Sequence, residues 1–205
     1  MFLGVIAERY FSVASAAVRR HDPAALVFGQ RFISQDIVDS VIDAAGRHFD
    51  VISVQPSPFS FDDSEEAAAS VAELVRISNL SGGRPVFVAD QTTHFDGVFG
   101  GLRPSCYVDE SGRVHGCAAN ATSAGDLYTE YLAELRKRPE IIGYSHCQYI
   151  NRAVCPGSAN AMRAQECRGP GATNLHLKQG LLNWDGTPQA EYVALVTAAN
   201  KKYGY

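Results

Sequence analysis

The sequence predicts an α/β fold with four parallel strands and about five helices, on three observations. Stretches with apolar residues at helical spacing alternate with short, almost wholly apolar runs bounded by Gly, Pro or Asp. Runs of that kind suit strands buried on both faces of a parallel sheet. The connections are also lopsided: they are short before each strand, whereas long loops at about 92–123 and 151–178 follow strand C-terminal ends. Strict alternation requires right-handed crossovers, and long loops gathered at one end imply a single functional face. At 205 residues the chain is read as one domain, 1–205, with one sizeable core.

The elements follow in order. Phe2, Val5, Ile6, Phe11, Val13, Ala14, Ala17 and Val18 fall at spacings that make one apolar helical face. Asp22-Pro23 ends that helix, because Pro cannot continue it. An apolar run at 25–29 predicts the first strand and delivers Gln30 and Arg31 past its end. A helix over 36–45 turns Ile37, Val38, Val41 and Ile42 inward. The strand at 50–54 ends at Gln55-Pro56. The helix over 62–79 opens with acidic residues, as the helix dipole favours, and buries Val71, Leu74, Val75 and Ile77. The run Gly83-Arg84-Pro85-Val86-Phe87-Val88-Ala89-Asp90-Gln91 reads as a turn, a buried strand and a carboxylate at the strand's end. Helix 124–138 is stopped by Pro139, a strand from Ile141 reaches Gln148-Tyr149, and a last helix spans about 188–200.

A net charge of −4 and a pI near 5.8 argue against nucleic-acid or anionic-membrane partners, which want a basic face. No apolar run approaches the ~20 residues that cross a bilayer, and the start lacks the pattern of a secretory signal. The five cysteines all lie at or after Cys106. Cys106 and Cys117 flank a candidate hairpin, and Cys155 and Cys167 bracket an irregular loop. Two local disulfides with Cys147 left over, or five reduced thiols, both fit. His94, His115 and His146 lack metal-ligand spacing, and Gly97 to Gly101 lack the Lys-Ser/Thr of a phosphate loop. No cofactor and no metal is therefore expected.

Residues just past parallel strands line the ligand crevice of open α/β sheets and the mouth of (β/α)8 barrels. Asp90 sits at such a place, either as a reacting carboxylate or as a cap of the next segment. Gln30, Arg31, Gln55, Gln91, Gln148 and Tyr149 also emerge at predicted strand ends. They suit hydrogen bonding to sugar hydroxyls, or polar filling of the barrel mouth with Arg31 paired to Asp90.

Tyr10-Phe11, Arg19 to Gly29, Phe49 to Val54, Gly83 to Asp90, Ile142-Gly143-Tyr144 to Gln148-Tyr149, and Leu181 to Pro188 together resemble the second half of a clan A glycoside hydrolase. These are retaining (β/α)8-barrel enzymes, and the agarase and family 42 β-galactosidase-like branches are most similar. The resemblance spans nearly the whole chain. It implies units equivalent to the second half of a TIM barrel, with Asp90 at the nucleophile position that ends the seventh strand. It also implies hydrolysis of β-linked galactoside-type saccharides.

Three departures qualify it. The nucleophile of the family is a Glu, and one missing methylene withdraws the carboxylate by over an ångström, a displacement that can cost ~100-fold in rate. Where the family carries a sugar-stacking Trp on the eighth strand, this chain has Ser145 and His146. The acid/base of the family lies on a strand that would precede Met1, whereas retaining hydrolysis needs two carboxylates about 5 Å apart. The isolated chain is accordingly expected to be weakly active or inactive. A second copy or a missing N-terminal half would complete the barrel. The rival reading is a non-catalytic carbohydrate-binding or assembly module, and a third recruits Glu110 or Glu166 as the acid.

Overall fold

A computed structural model describes residues 2–34, 37–56, 64–91, 93, 95, 107–108, 114–115, 118, 120–147, 149–154, 175–177, 180–183 and 185–204. Along the chain these form α1 (Phe2–His21), β1 (Phe32–Ile33), α2 (Asp39–His48), β2 (Ile52–Gln55), α3 (Ser64–Leu80) and β3 (Val86–Gln91). There follow β4 (Tyr107–Val108), β5 (Val114–His115), α4 (Ala121–Arg136), β6 (Ile141–His146), β7 (Arg152–Val154), β8 (Leu175–Leu177) and α5 (Ala190–Tyr203). The main sheet has the order β1-β2-β3-β6 with every pair parallel. Among the described residues the fold is thus a four-stranded parallel sheet with five helices, a partial (β/α) barrel.

The strands form where the sequence is apolar because their alternate side chains bury against the helices. Ile52, Val54, Val86 and Val88 are wholly buried, and Ile42, Leu74, Ile77, Tyr131, Leu132 and Leu135 meet them from the helical layer. Each such aliphatic side chain contributes about 1.5–3 kcal/mol by leaving water. The helices pack in chain order, α1 on α2, α2 on α3, α3 on α4 and α4 on α5. Asn120 caps α4, its Oδ1 accepting from Ser123 N–H at 2.9 Å. Arg84 fixes the turn into β3 by donating from Nε to the Gly46 carbonyl at 2.7 Å.

The first strand differs from expectation. The run 25–29 is not paired as a strand; the ladder to β2 forms at Phe32–Ile33 instead. Gly29 adopts φ 68° and breaks the run. Val27 is held by Asp50, whose Oδ2 accepts its N–H at 2.8 Å and whose own N–H donates to its carbonyl at 2.9 Å. The apolar face expected on α1 is corrected as well. The helix buries Ala7, Phe11 and Ser15, whereas Phe2, Val5, Ile6, Val13 and Val18 are exposed. A 20-residue helix with apolar side chains over most of its circumference turns only one stripe to the core.

The hairpin expected between Cys106 and Cys117 is present: β4 and β5 pair antiparallel, Tyr107 opposite His115 and Val108 opposite Val114. A second small hairpin pairs β7 with β8. Cys106, Cys117, Cys155 and Cys167 lie outside the described residues.

Candidate functional site

Asp90 stands at the C-terminal end of β3, one residue before its last. Val88 is opposite Tyr144 and Gln91 opposite His146, so two residues of β3, Ala89 and Asp90, face the single Ser145. This is a β-bulge, a device that re-aims a side chain at a strand's end. Asp90 takes φ 59°, the one left-handed residue other than Gly among those described. Asp tolerates that conformation better than most side chains but still at a cost, and such residues gather at functional sites.

Arg31, just before β1, forms an ion pair through its guanidinium with Asp90 Oδ2. The pair crosses the end of β2, which lies between β1 and β3 in the sheet. Side-chain exposures of 50% for Arg31 and 28% for Asp90 leave both reachable from solvent. Gln55, half-buried, ends the intervening β2 in register with Ile33. Gln55 and Asp90 therefore sit at the C-terminal ends of β2 and β3, whereas Arg31, expected past the end of the first strand, precedes β1 because pairing begins only at Phe32.

Beneath them Phe87 meets the ring of Phe28 edge-on, with centroids 5.6 Å apart. A side chain at Gly143 would put a Cβ 2.7 Å from the Phe87 ring, so only glycine leaves that ring its place. The sequence reading did not single out Phe28, Phe87 or Gly143; a glycine inside an apolar strand was the available signal.

The other expected residues are placed elsewhere. Gln91 is 1% exposed, and its carbonyl accepts from Tyr144 O–H at 3.2 Å and Cys147 N–H at 3.0 Å. His146 lies on the helix side of the sheet, with Nδ1 3.2 Å from the Tyr144 hydroxyl and its ring against Tyr128 and Tyr192. With Leu132, Val196 and Asn200 it borders a cavity of about 410 Å³ between β6, α4 and α5. Burial pushes the Tyr128 hydroxyl up to about 12 there, and Tyr192 higher still. Gln30 lines a separate groove beside α1, and Tyr149 is exposed. Gln148 and Trp184 lie outside the described residues. No cluster able to hold a metal ion occurs among the described residues.

No protein-family model matches the chain, and no curated protein matches it. Solved structures do. An exo-beta-agarase shares 20% identity at a TM-score of 0.65, covering 99% of this chain and 23% of the agarase. A thermostable mutant of a xylanase from Cellvibrio japonicus shares 15% at 0.56, covering 93% of this chain and 54% of the xylanase. A GH2 beta-galacturonidase from Eisenbergiella tayi shares 15% at 0.59, covering 95% and 30%. The fold is therefore one found in glycoside hydrolases, and the chain spans about a quarter of the agarase's length. Its neighbours act on different sugars, so the fold alone does not select one.

Proposed function

We propose that this chain carries the nucleophile half of a retaining glycosidase cleft for β-linked galactoside-type saccharides, with Asp90 as the nucleophile. The observation that supports it is the Arg31–Asp90 ion pair at the C-terminal rim, held by a bulge that puts Asp90 in the left-handed region. The ionised carboxylate is the form that attacks. Gln55 on the strand between them is placed to hydrogen-bond a sugar hydroxyl. Phe28 and Phe87 supply an apolar floor for a ring face. Of the remaining candidates, Tyr149 is exposed past the end of β6, and Gln30, Gln91 and His146 lie away from the Arg31–Asp90 pair.

Retaining hydrolysis divides into attack and release. Attack forms a bond from Asp90 Oδ to the anomeric carbon as the bond to the leaving oxygen breaks. A sugar leaving group needs a proton from a second carboxylate, and release needs that group as base for water. A dinitrophenyl leaving group departs as the phenolate without a proton. A chain with the nucleophile and no acid/base should therefore release about one phenolate per chain from a dinitrophenyl β-galactoside and stop. Intact-protein mass spectrometry should find one added hexosyl group, absent in Asp90→Asn. Sustained turnover by both proteins, or no adduct on the unaltered chain, would refute the nucleophile assignment. A non-catalytic carbohydrate-binding module is the second reading, favoured by the Asp at the position where the resemblance implies a Glu; it predicts sugar binding with no adduct.

A further inference from the structure

Strand β6 separates two faces of this chain. Gly143 meets the Phe87 ring beneath the Arg31–Asp90 pair, whereas Tyr144 and His146 turn toward the helices. Both pack against Tyr128 of α4, and His146 also against Tyr192 of α5. The cavity of about 410 Å³ between β6, α4 and α5 lies on this second face, where the proposed sugar site makes no use of it. Small-molecule sites span about 300–1,000 Å³. A cavity of about 150 Å³ already takes benzene, so this one has room for a substituted ring.

The lining sets the chemistry of what fits. Leu132, Leu181 and Val196 supply aliphatic walls, and Tyr128, Tyr144 and His146 supply aromatic ones. Such walls accept a flat apolar body. The polar atoms are few and their directions are fixed. Tyr128 gives its hydroxyl proton to Asn200 Oδ1 at 2.7 Å, and Tyr144 gives its own to the Gln91 carbonyl at 3.2 Å. Both phenol oxygens therefore present lone pairs, while the Asn200 amide, at the exposed mouth beside Gly204, presents N–H donors. A hydroxyl meets both demands, donating to a phenol oxygen and accepting from the amide. The described residues that border the cavity carry no carboxylate, ammonium or guanidinium. Burial there also holds the Tyr128 proton up to about 12, an environment that disfavours charge. Tyr192, with its ring 6.1 Å from His146, buries its hydroxyl with no partner among the described residues. The aromatic cluster is thus not closed by its own hydrogen bonds.

We propose that this cavity is a binding site for an uncharged phenol, with the ring between Leu132, Leu181, Val196 and the aromatic wall and the hydroxyl at Tyr128 and Asn200. It lies across the sheet from the Arg31–Asp90 rim, and each site can exist without the other.

The probe is para-fluorophenol, followed by fluorine NMR in the presence of the full chain. Saturable binding with a Kd of about 1 mM or tighter is expected. Leu181→Trp fills the cavity and should abolish binding. Asn200→Leu changes an exposed position, removes the amide donors and should weaken binding at least about tenfold. Circular dichroism checks that both variants fold; should Leu181→Trp fail, Asn200→Leu and two analogues carry the test. Fluorobenzene lacks the hydroxyl and para-fluorobenzoate carries a charge, so each should bind at least about tenfold more weakly than the phenol. An excess of agar-derived oligosaccharide should leave the probe in place. No saturable binding, equal affinity for fluorobenzene or para-fluorobenzoate, equal affinity in folded Asn200→Leu, or displacement of the probe by the oligosaccharide would overturn the proposal.

Discussion

Arg31 and Asp90 are 59 positions apart in sequence and separated in the sheet by β2, yet their side chains form an ion pair over the end of that strand. The pair is partly exposed, so its net contribution to stability is about 0–1 kcal/mol. The left-handed backbone at Asp90 works against folding. Asp90→Gly is therefore expected to leave stability unchanged or raise it by up to about 1 kcal/mol, since glycine adopts that conformation freely. Urea unfolding measures this; a loss above about 1 kcal/mol would make Asp90 a structural residue.

Asp50 ties β1's approach to α1. Its carboxylate accepts first from the Val27 N–H and then from Arg19, and these bonds hold it below the usual carboxylate range. A lowered folded pKa gives stability that is present above the unfolded value near 4 and lost as pH falls through the folded one. Asp50→Asn is expected to cost about 1–2 kcal/mol near neutral pH, discounted because Arg19 is partly exposed. The cost should shrink as pH falls below about 4 and vanish below the lowered folded value. An equal cost at pH 3 and pH 7 would assign the effect to shape rather than charge.

Two buried tyrosines differ in one respect. Tyr128 O–H donates to Asn200 Oδ1 at 2.7 Å, whereas the Tyr192 hydroxyl is buried with no hydrogen-bond partner among the described residues. Tyr128→Phe should cost about 1 kcal/mol and Tyr192→Phe about nothing, or slightly stabilise. Both phenols hold their protons above the ordinary value of 10. Their contribution is complete below pH 10 and declines as pH rises toward about 12. Alkaline unfolding with a cooperative rise in tyrosinate absorbance checks this; a gradual rise in the folded protein would contradict it.

Gly143→Ala places a methyl group against Phe87. Overpacking of this kind costs about 1–3 kcal/mol. The Phe28–Phe87 contact should be displaced with it, and the aromatic region of near-ultraviolet circular dichroism reports both rings. An unchanged spectrum with full stability would mean that the floor below Asp90 is soft.

The parts of this fold that could be read from sequence are those set locally. The turn before β3 is announced by Gly82-Gly83-Arg84-Pro85, and both glycines take positive φ. The buried strand after it is announced by its unbroken apolar run, and α2 to α5 by their stripes, with ends shifted by one to three residues, although Val38, expected on the inner face of α2, precedes that helix and is exposed. What failed was set by distant partners. Val27 is anchored by Asp50, so pairing slides from 25–29 to Phe32–Ile33. The two stripes of α1 are indistinguishable until α2 and the sheet choose one. The bulge at Ala89-Asp90 depends on register with β6. At the site, Asp90 was legible as a strand-end residue, whereas Arg31 precedes β1 because the strand slid to Phe32–Ile33, and the helix-side placement of His146 follows from the register with β6.

The most direct measurement is calorimetric titration of an agar-derived β-galactoside oligosaccharide into the unaltered chain and into Arg31→Ala and Asp90→Asn. Saturable binding by the unaltered chain, weakened at least tenfold in both variants, is the expected result. Equal affinity in all three proteins, or no binding by the unaltered chain, would contradict a carbohydrate site at the Arg31–Asp90 rim.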